Sequence, residues 1–230
     1  MRTASLKPFQ KKQWVIPSEK SASFVYQMKQ VLSVYERPYD ANFPVVCMDE
    51  SPKQVIDYKE FIGKDGKQYQ DSEYIRKGVV ELFVATQPLA GFRQLTVEDD
   101  HKASTWVLFI ANIVDTIYKD AIKVTWVMDN FCTHKLSFFY EYFTPQVAKA
   151  YIDRMEIVHT PVHGSWLNMA EIEFSVFTRQ EFDRPFTDKK DVEIVAKKWM
   201  NQQNQKKKMI NWQFKNEDAR IKLTRLYPTI

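Results

Sequence analysis

Two short apolar runs in this chain each stop on an aspartate, and between them the hydrophobic spacing changes from strand-like to helical. Asn42 to Met48 (NFPVVCM) leads into Asp49, and Lys123 to Met128 (KVTWVM) leads into Asp129. Continuous runs of this length, rich in β-branched and aromatic residues, predict strands covered on both faces, as in the interior of an α/β sheet. From His101 to Tyr118 the apolar positions Trp106, Phe109, Ile110, Ile113 and Ile117 follow helical spacing. Two buried strands separated by a helix restrict the chain to an α/β architecture, with a strand-end carboxylate as the repeated feature.

The flanking segments fill in the order of elements. Residues 17–36 open with Pro17 and Ser18 and then space Phe24, Met28, Val31, Leu32 and Tyr35 as an amphipathic helix. Gly63 to Gly66 marks a turn, and the β-rich runs Gly78–Thr86 and Phe92–Val97 flank Pro88 and Gly91 as a hairpin. After Asp129 come helical stretches at Lys135–Phe143 and Pro145–Arg154, a short strand Glu156–His159, and a loop Thr160–Ser165. A helix then begins near Trp166 with Leu167, Ala170, Phe174 and Phe177 on one face, which leaves Glu171 and Glu173 to be explained. Lys189–Gln205 reads as a basic amphipathic helix. With no repeat and no linker, this gives one domain: an N-terminal helical extension (1–40), a core (41–187) and a basic C-terminal helical extension (188–230).

Several chemistries are excluded by what is missing. The 230 residues contain only 5 Gly, and neither GxGxxG nor GxxxxGK[ST] occurs, which removes dinucleotide and P-loop sites. Cys47 and Cys132 cannot form a disulfide framework or a four-thiolate zinc site, and both read as packing residues. His159 and His163 are spaced as on a zinc-binding helix, but Pro161 between them forbids that helix, so they read as structural or loop histidines. The basic N-terminus lacks a signal-like apolar stretch, and the longest apolar run, Trp106–Ala111, is far shorter than a bilayer requires. With only two cysteines, a reduced cytoplasmic location is expected. Asp188–Arg225 holds 11 Lys and Arg against 5 Asp and Glu in a chain of net charge +4, which describes either a solvated surface or a face for a polyanion.

What remains is acidic. A carboxylate at the end of a buried strand is costly unless a cation or donor compensates it, and two such sites suggest a shared compensator. If the strands are parallel neighbours, Asp49 and Asp129 reach one divalent ion, with a glutamate from the later helix as the third ligand. The same residues would also serve ordinary ends: Asp129 and Asn130 as a helix start, Glu50 as a solvated side chain.

The segments VVCMDES, VMDNFCTH and TPVHGSWLNMAEIE resemble the three acidic motifs of DDE transposases from bacterial insertion sequences of the mariner-like superfamily. The resemblance extends through PLAGFR, EFSVFTRQEFDR and WQFKNEDARIKLTRLYP, and so over nearly the whole chain. It implies an RNase H-like, retroviral-integrase-like α/β fold, a mixed sheet flanked by helices. It also implies the catalytic, metal-binding triad Asp49, Asp129 and Glu171, the last matched through Leu167, Asn168 and the Leu-Asn-x-x-Glu pattern. Glu173 competes for that role, but two residues along a helix turn the side chain by about 200°, so both cannot face one metal. Asp129 and Glu171 are 42 residues apart, longer than the spacing usual in the superfamily, and residues 144–150 read as a surface insertion.

The implied chemistry is cut-and-paste transposition. Asp49 would bridge two Mg²⁺ ions, with Mn²⁺ as a substitute, Asp129 on one and Glu171 on the other; one ion activates a water or a 3′-hydroxyl and the other stabilises the leaving oxygen. Asn130, His134 and Asn168 would orient the phosphate or a metal water, or equally serve as caps and supporting partners. Lys197, Lys198, Lys206, Lys207 and Lys208 would contact DNA phosphates. Partners are double-stranded DNA, as transposon ends and target, and a second copy of the chain on that DNA. The family's N-terminal helix-turn-helix region of about one hundred residues has no counterpart here, so recognition of particular ends is expected to lie outside these residues. The alternative is a catalytically idle, domesticated or truncated remnant that binds DNA as an assembly module; a structure-selective nuclease on the same fold is a weaker one.

Overall fold

The computed structural model describes residues 19–182 and 184–228. The basic stretch 1–14 and the helix start signals Pro17 and Ser18 lie outside the described residues. The first helix, α1 (Ala22–Tyr35), is capped by Ser21, whose side chain accepts a hydrogen bond from the Phe24 amide.

Five strands form one mixed sheet in the order β3-β2-β1-β4-β5. They are β1 (Val45–Ile62), β2 (Gln68–Gln87), β3 (Phe92–Glu98), β4 (Val124–Met128) and β5 (Met155–His159). The first three are an antiparallel meander, whereas β1–β4 and β4–β5 are parallel, with Cys47 opposite Val127 and Met128 opposite His159. The crossover from β3 to β4 is α2 (Ala103–Thr116) and that from β4 to β5 passes through α3 (Phe139–Tyr142) and α4 (Pro145–Asp153). Beyond the sheet lie α5 (Ala170–Glu181), α6 (Lys189–Lys206) and α7 (Asn216–Lys222).

Strand alternation divides the core in two. Val46, Met48, Phe83, Trp126 and Met128 face α2, α3 and α4, and Cys47, Val84, Leu95 and Val127 face α1, α5 and α6. The terminal helices therefore form one of the two layers that cover the sheet. Residues 144–150 supply most of α4 and are exposed apart from Ala148, which is buried against the α2 side of the core.

The first strand differs from its expected length. It does not stop at Asp49 but runs to Ile62, paired along its length with β2. What stops near Asp49 is the parallel ladder to β4, last paired at Cys47 and Val127. The charged residues after Asp49 gave no apolar pattern to read, because the long hairpin is held by backbone pairing and largely exposed beyond Val55. Its irregularity between Val55 and Ile56 has a tertiary cause: the Ile56 amide donates to the Phe186 carbonyl (2.8 Å).

Candidate active site

Extending the β1–β4 register by two residues places Asp49 beside Asp129, so the tertiary fold brings together the two aspartates read from sequence. They line an open cleft of about 200 Å³ with Glu50, Pro52, Glu81, His101 and Phe131. Glu171 arrives from the first turn of α5, which packs over β1 and β2. Its carboxylate is near enough to act on Asp49, as are those of Glu50 and Asp129. Burial first, and then these neighbouring charges, push the Asp49 carboxyl up to about 8.

Asp129 sits in the opposite electrostatic balance. Burial opposes its charge, but its hydrogen bond and ion pair with His134 hold it below the ordinary carboxylate range. His134 is fully buried at its side chain and bridges two carboxylates, Nδ1 to Asp129 Oδ1 at 2.8 Å and Nε2 to Glu50 Oε1 at 2.7 Å. Burial disfavours its cation, yet the hydrogen bonds of Asp129 and Glu50 prevail and lift it to about 10. Glu50 is thus no solvated side chain. Its amide also donates to Asp49 Oδ1 (2.9 Å), which fixes that carboxylate on the strand. Glu50, Asp129 and His134 offer ligand atoms all within 4.8 Å of one another.

Backbone carbonyls and one amide hold the frame. His159 Nδ1 lies 3.0 Å from the Asp129 carbonyl, which makes it a structural histidine, and His163 is a turn residue with φ 61°. Asn168 is buried; its Nδ2 donates to the Met48 carbonyl (2.8 Å) and its Oδ1 accepts from the Ala170 amide (3.1 Å). It ties the start of α5 to the residue preceding Asp49. Tyr35 donates to the Leu167 carbonyl (2.6 Å), joining α1 to the same turn. Asn130 is exposed beside the cleft. Cys47 packs in the core as expected, but Cys132 is exposed on the loop after Asp129, because that turn lifts it away from both halves of the core.

The two glutamates of α5 separate as helical geometry requires. Glu173 belongs to the buried face with Ala170, Phe174 and Phe177, where Arg93 holds it through Nε at 2.9 Å and Nη2 at 2.8 Å. Sequence reasoning assigned this ion pair no role, although a glutamate on an apolar helix face and an arginine opening a strand were its signals. Glu81, buried in the β-rich run and facing His101 at 3.2 Å, was missed for the same reason.

The five lysines are exposed, away from the carboxylates in sequence and carried on α6 and the turn after it. Lys197 borders a groove with Gln94 and Thr96 of β3, and Lys207 ends α6 in the left-handed conformation (φ 46°).

The groups facing the cleft that can take a cation are carboxylate oxygens, since His134 is itself held as a cation by Asp129 and Glu50, and the buried Asp49 carboxyl retains its charge at neutral pH poorly unless a cation joins it. Such a set fits a hard divalent ion. No curated protein matches the chain in sequence. Among solved structures, it resembles the Mos1 transposase paired-end complex with left transposon end at TM-score 0.53 and 14% identity, covering 85% of this chain and 60% of that one. It resembles the Mos1 mariner paired end complex with Mn at TM-score 0.57 and 13% identity, covering 97% of this chain and 69% of that one. At such identity the likeness establishes the RNase H-like fold, and the chain spans about 60% of the first neighbour's length. The family profile described as DDE superfamily endonuclease matches residues 44–193, a stretch that runs from the start of β1 into α6 and takes in Asp49, Asp129 and Glu171. On that match the chain belongs to the DDE superfamily of endonucleases.

Proposed function

We propose that this chain is the catalytic domain of a DNA transposase, cutting DNA and joining its strands by in-line phosphoryl transfer at Asp49, Asp129 and Glu171. The observation that carries the reading is the convergence of Asp49 from β1, Asp129 from just beyond the end of β4 and Glu171 from the first turn of α5, three acids whose charges, together with burial, push the Asp49 carboxyl up. Charges gathered from three separate elements at such cost imply a cation that the fold is built to accept. The Mos1 structures, named as a paired-end complex, a strand transfer complex and complexes with Mn or Mg, support DNA ends and target as partners and Mg²⁺ or Mn²⁺ as cofactor. Two copies of the chain acting on one pair of ends complete the proposal.

Asp49, Asp129 and Glu171 would hold two divalent ions. When bound, such ions supply Lewis acidity at the phosphoryl oxygens and raise the nucleophilicity of a water or a DNA 3′-hydroxyl. The protein's own part is positional. His134 keeps Asp129 ionised and its carboxylate fixed, the Glu50 amide sets the Asp49 rotamer, and Asn168 holds the α5 start against β1. Lys197, Lys198 and Lys206–Lys208 would bind duplex phosphates without reading bases.

The test is cleavage and strand transfer of labelled duplexes that carry the element's ends, with Mn²⁺. Asp49→Asn, Asp129→Asn and Glu171→Gln should each reduce product to background while circular dichroism remains that of the parent, since each removes an anionic ligand and little volume. Full activity of Glu171→Gln would sink the triad. A parent chain that binds these duplexes and never cuts them, even with a helix-turn-helix partner supplied, would favour the idle assembly module.

A further inference from the structure

The buried ion pair of Arg93 and Glu173 lies outside the carboxylate cluster, and the Arg93 guanidinium makes four hydrogen bonds. The two side chains are 3% and 6% exposed. Besides both Glu173 oxygens, the Arg93 guanidinium reaches the Gly91 carbonyl (3.1 Å) and the Lys208 carbonyl (3.0 Å). The Arg93 amide and carbonyl are both taken by the Asn204 side chain, at 2.9 and 2.8 Å. One residue of β3 thus fastens α5, the end of α6 and the turn that follows it. The approach leaves no spare room: a Cβ on Gly91, at φ +63°, would lie 2.6 Å from the Lys207 backbone.

We propose that Arg93 is a positioning residue for Glu171, acting through Glu173; this rests on the metal-site reading of Asp49, Asp129 and Glu171. Apolar packing of Ala170, Phe174 and Phe177 places α5 on the sheet but tolerates rotation, because dispersion contacts have little directionality. A forked guanidinium-carboxylate pair is angularly strict. Glu173 without its partner is an uncompensated buried charge, and the cheapest relief is to roll α5 until that carboxylate meets water. Glu171 lies about 200° around the helix from Glu173, on the opposite flank of the buried stripe, so the roll that exposes Glu173 turns Glu171 inward toward that stripe and off its alignment with Asp49. The pair therefore selects the one azimuth at which Glu171 joins the aspartates.

Mn²⁺ binding to the DNA-free chain, followed by loss of the free-ion electron paramagnetic resonance signal, tests this without recourse to activity. Four proteins are compared: the parent, Glu171→Gln, the apolar pair Arg93→Met/Glu173→Met, and that pair combined with Glu171→Gln. The apolar pair removes both charges together and keeps the volume, so it is expected to fold. It should bind Mn²⁺ about tenfold more weakly than the parent. Adding Glu171→Gln to it should then cost less than about twofold, whereas the same change in the parent costs about tenfold. A structural role alone would leave the two effects independent. If the apolar pair binds Mn²⁺ like the parent, or if Glu171→Gln costs as much in both backgrounds, Arg93 does not position Glu171 and the triad stands without it. If Glu171→Gln is silent in the parent, the triad itself fails and the proposal with it. Should the apolar pair not fold, Arg93→Lys replaces it in the same cycle: it keeps the charge but cannot fork, and additivity with Glu171→Gln would again overturn the proposal.

Discussion

At the scale of single residues, neighbouring glutamates on one helix carry opposite duties. Glu173 compensates the buried guanidinium of Arg93, so Glu173→Gln should destabilise the chain by about 3–5 kcal/mol, the range for breaking a buried pair from one side. Glu173 is therefore no bystander, as the choice of Glu171 from the motif alone would have it. Glu171 is only partly buried, and Glu171→Gln should leave stability within about 0.5 kcal/mol of the parent while removing metal-dependent cleavage. Urea unfolding of both variants with EDTA present checks the contrast. Equal midpoints would mean that the Arg93 pair contributes nothing measurable.

Whole elements carry two further expectations. Lys206–Lys208 form an exposed cationic turn at the end of α6, anchored through the Lys208 carbonyl. Replacing all three lysines by alanine should weaken binding to every duplex alike and flatten the plot of log affinity against log salt by up to about 0.9 for each phosphate no longer neutralised. Salt titrations on two unrelated sequences would reveal it, and a weakening confined to one of them would contradict a phosphate-only role. The end of α1 is tied to β4 and β5 through Arg37, which reaches Glu156 at 2.9 Å and Thr125 at 3.0 Å. The Arg37 hydrogen bond, joined by that of Thr125 and opposed by burial, holds Glu156 below its ordinary range. A carboxylate depressed by folding contributes stability above its unfolded value that disappears as pH falls through its folded one. Glu156→Gln should thus cost about 0.5–1 kcal/mol near neutrality, discounted for partial exposure, and nothing in strong acid. Thermal melts of parent and variant from pH 7 down to 3 should converge.

For the molecule as a whole, the unfavourable charge and the favourable one fall on different aspartates. Asp49 is raised by burial and its neighbours, whereas Asp129 is matched by His134. Millimolar Mn²⁺ should therefore stabilise the parent by about 1–3 kcal/mol at saturation. Asp49→Asn should melt higher than the parent in EDTA and gain little from the metal. Asp129→Asn lacks the first of these effects, because it strips His134 of a partner while relieving Asp49. Identical melting of parent and Asp49→Asn, with and without Mn²⁺, would mean that no common cation site exists.

Periodicity alone was enough for β4, α2, the β2–β3 hairpin and the amphipathic α6, since burial on a given face imprints a spacing on each segment. The two strand-borne aspartates were legible for the same reason: each ends an apolar run. The extension of β1 beyond Asp49 was not, because a backbone ladder between exposed strands leaves no hydrophobic pattern. Nor were the His134 bridge between Glu50 and Asp129 or the clamp of Arg93 on Glu173, which join residues 84 and 80 positions apart. The sequence by itself determined which segments are buried and which carboxylates they carry. Only the tertiary structure decided which charges meet, because Coulomb and hydrogen-bond energies depend on separations of a few ångströms that chain packing alone sets.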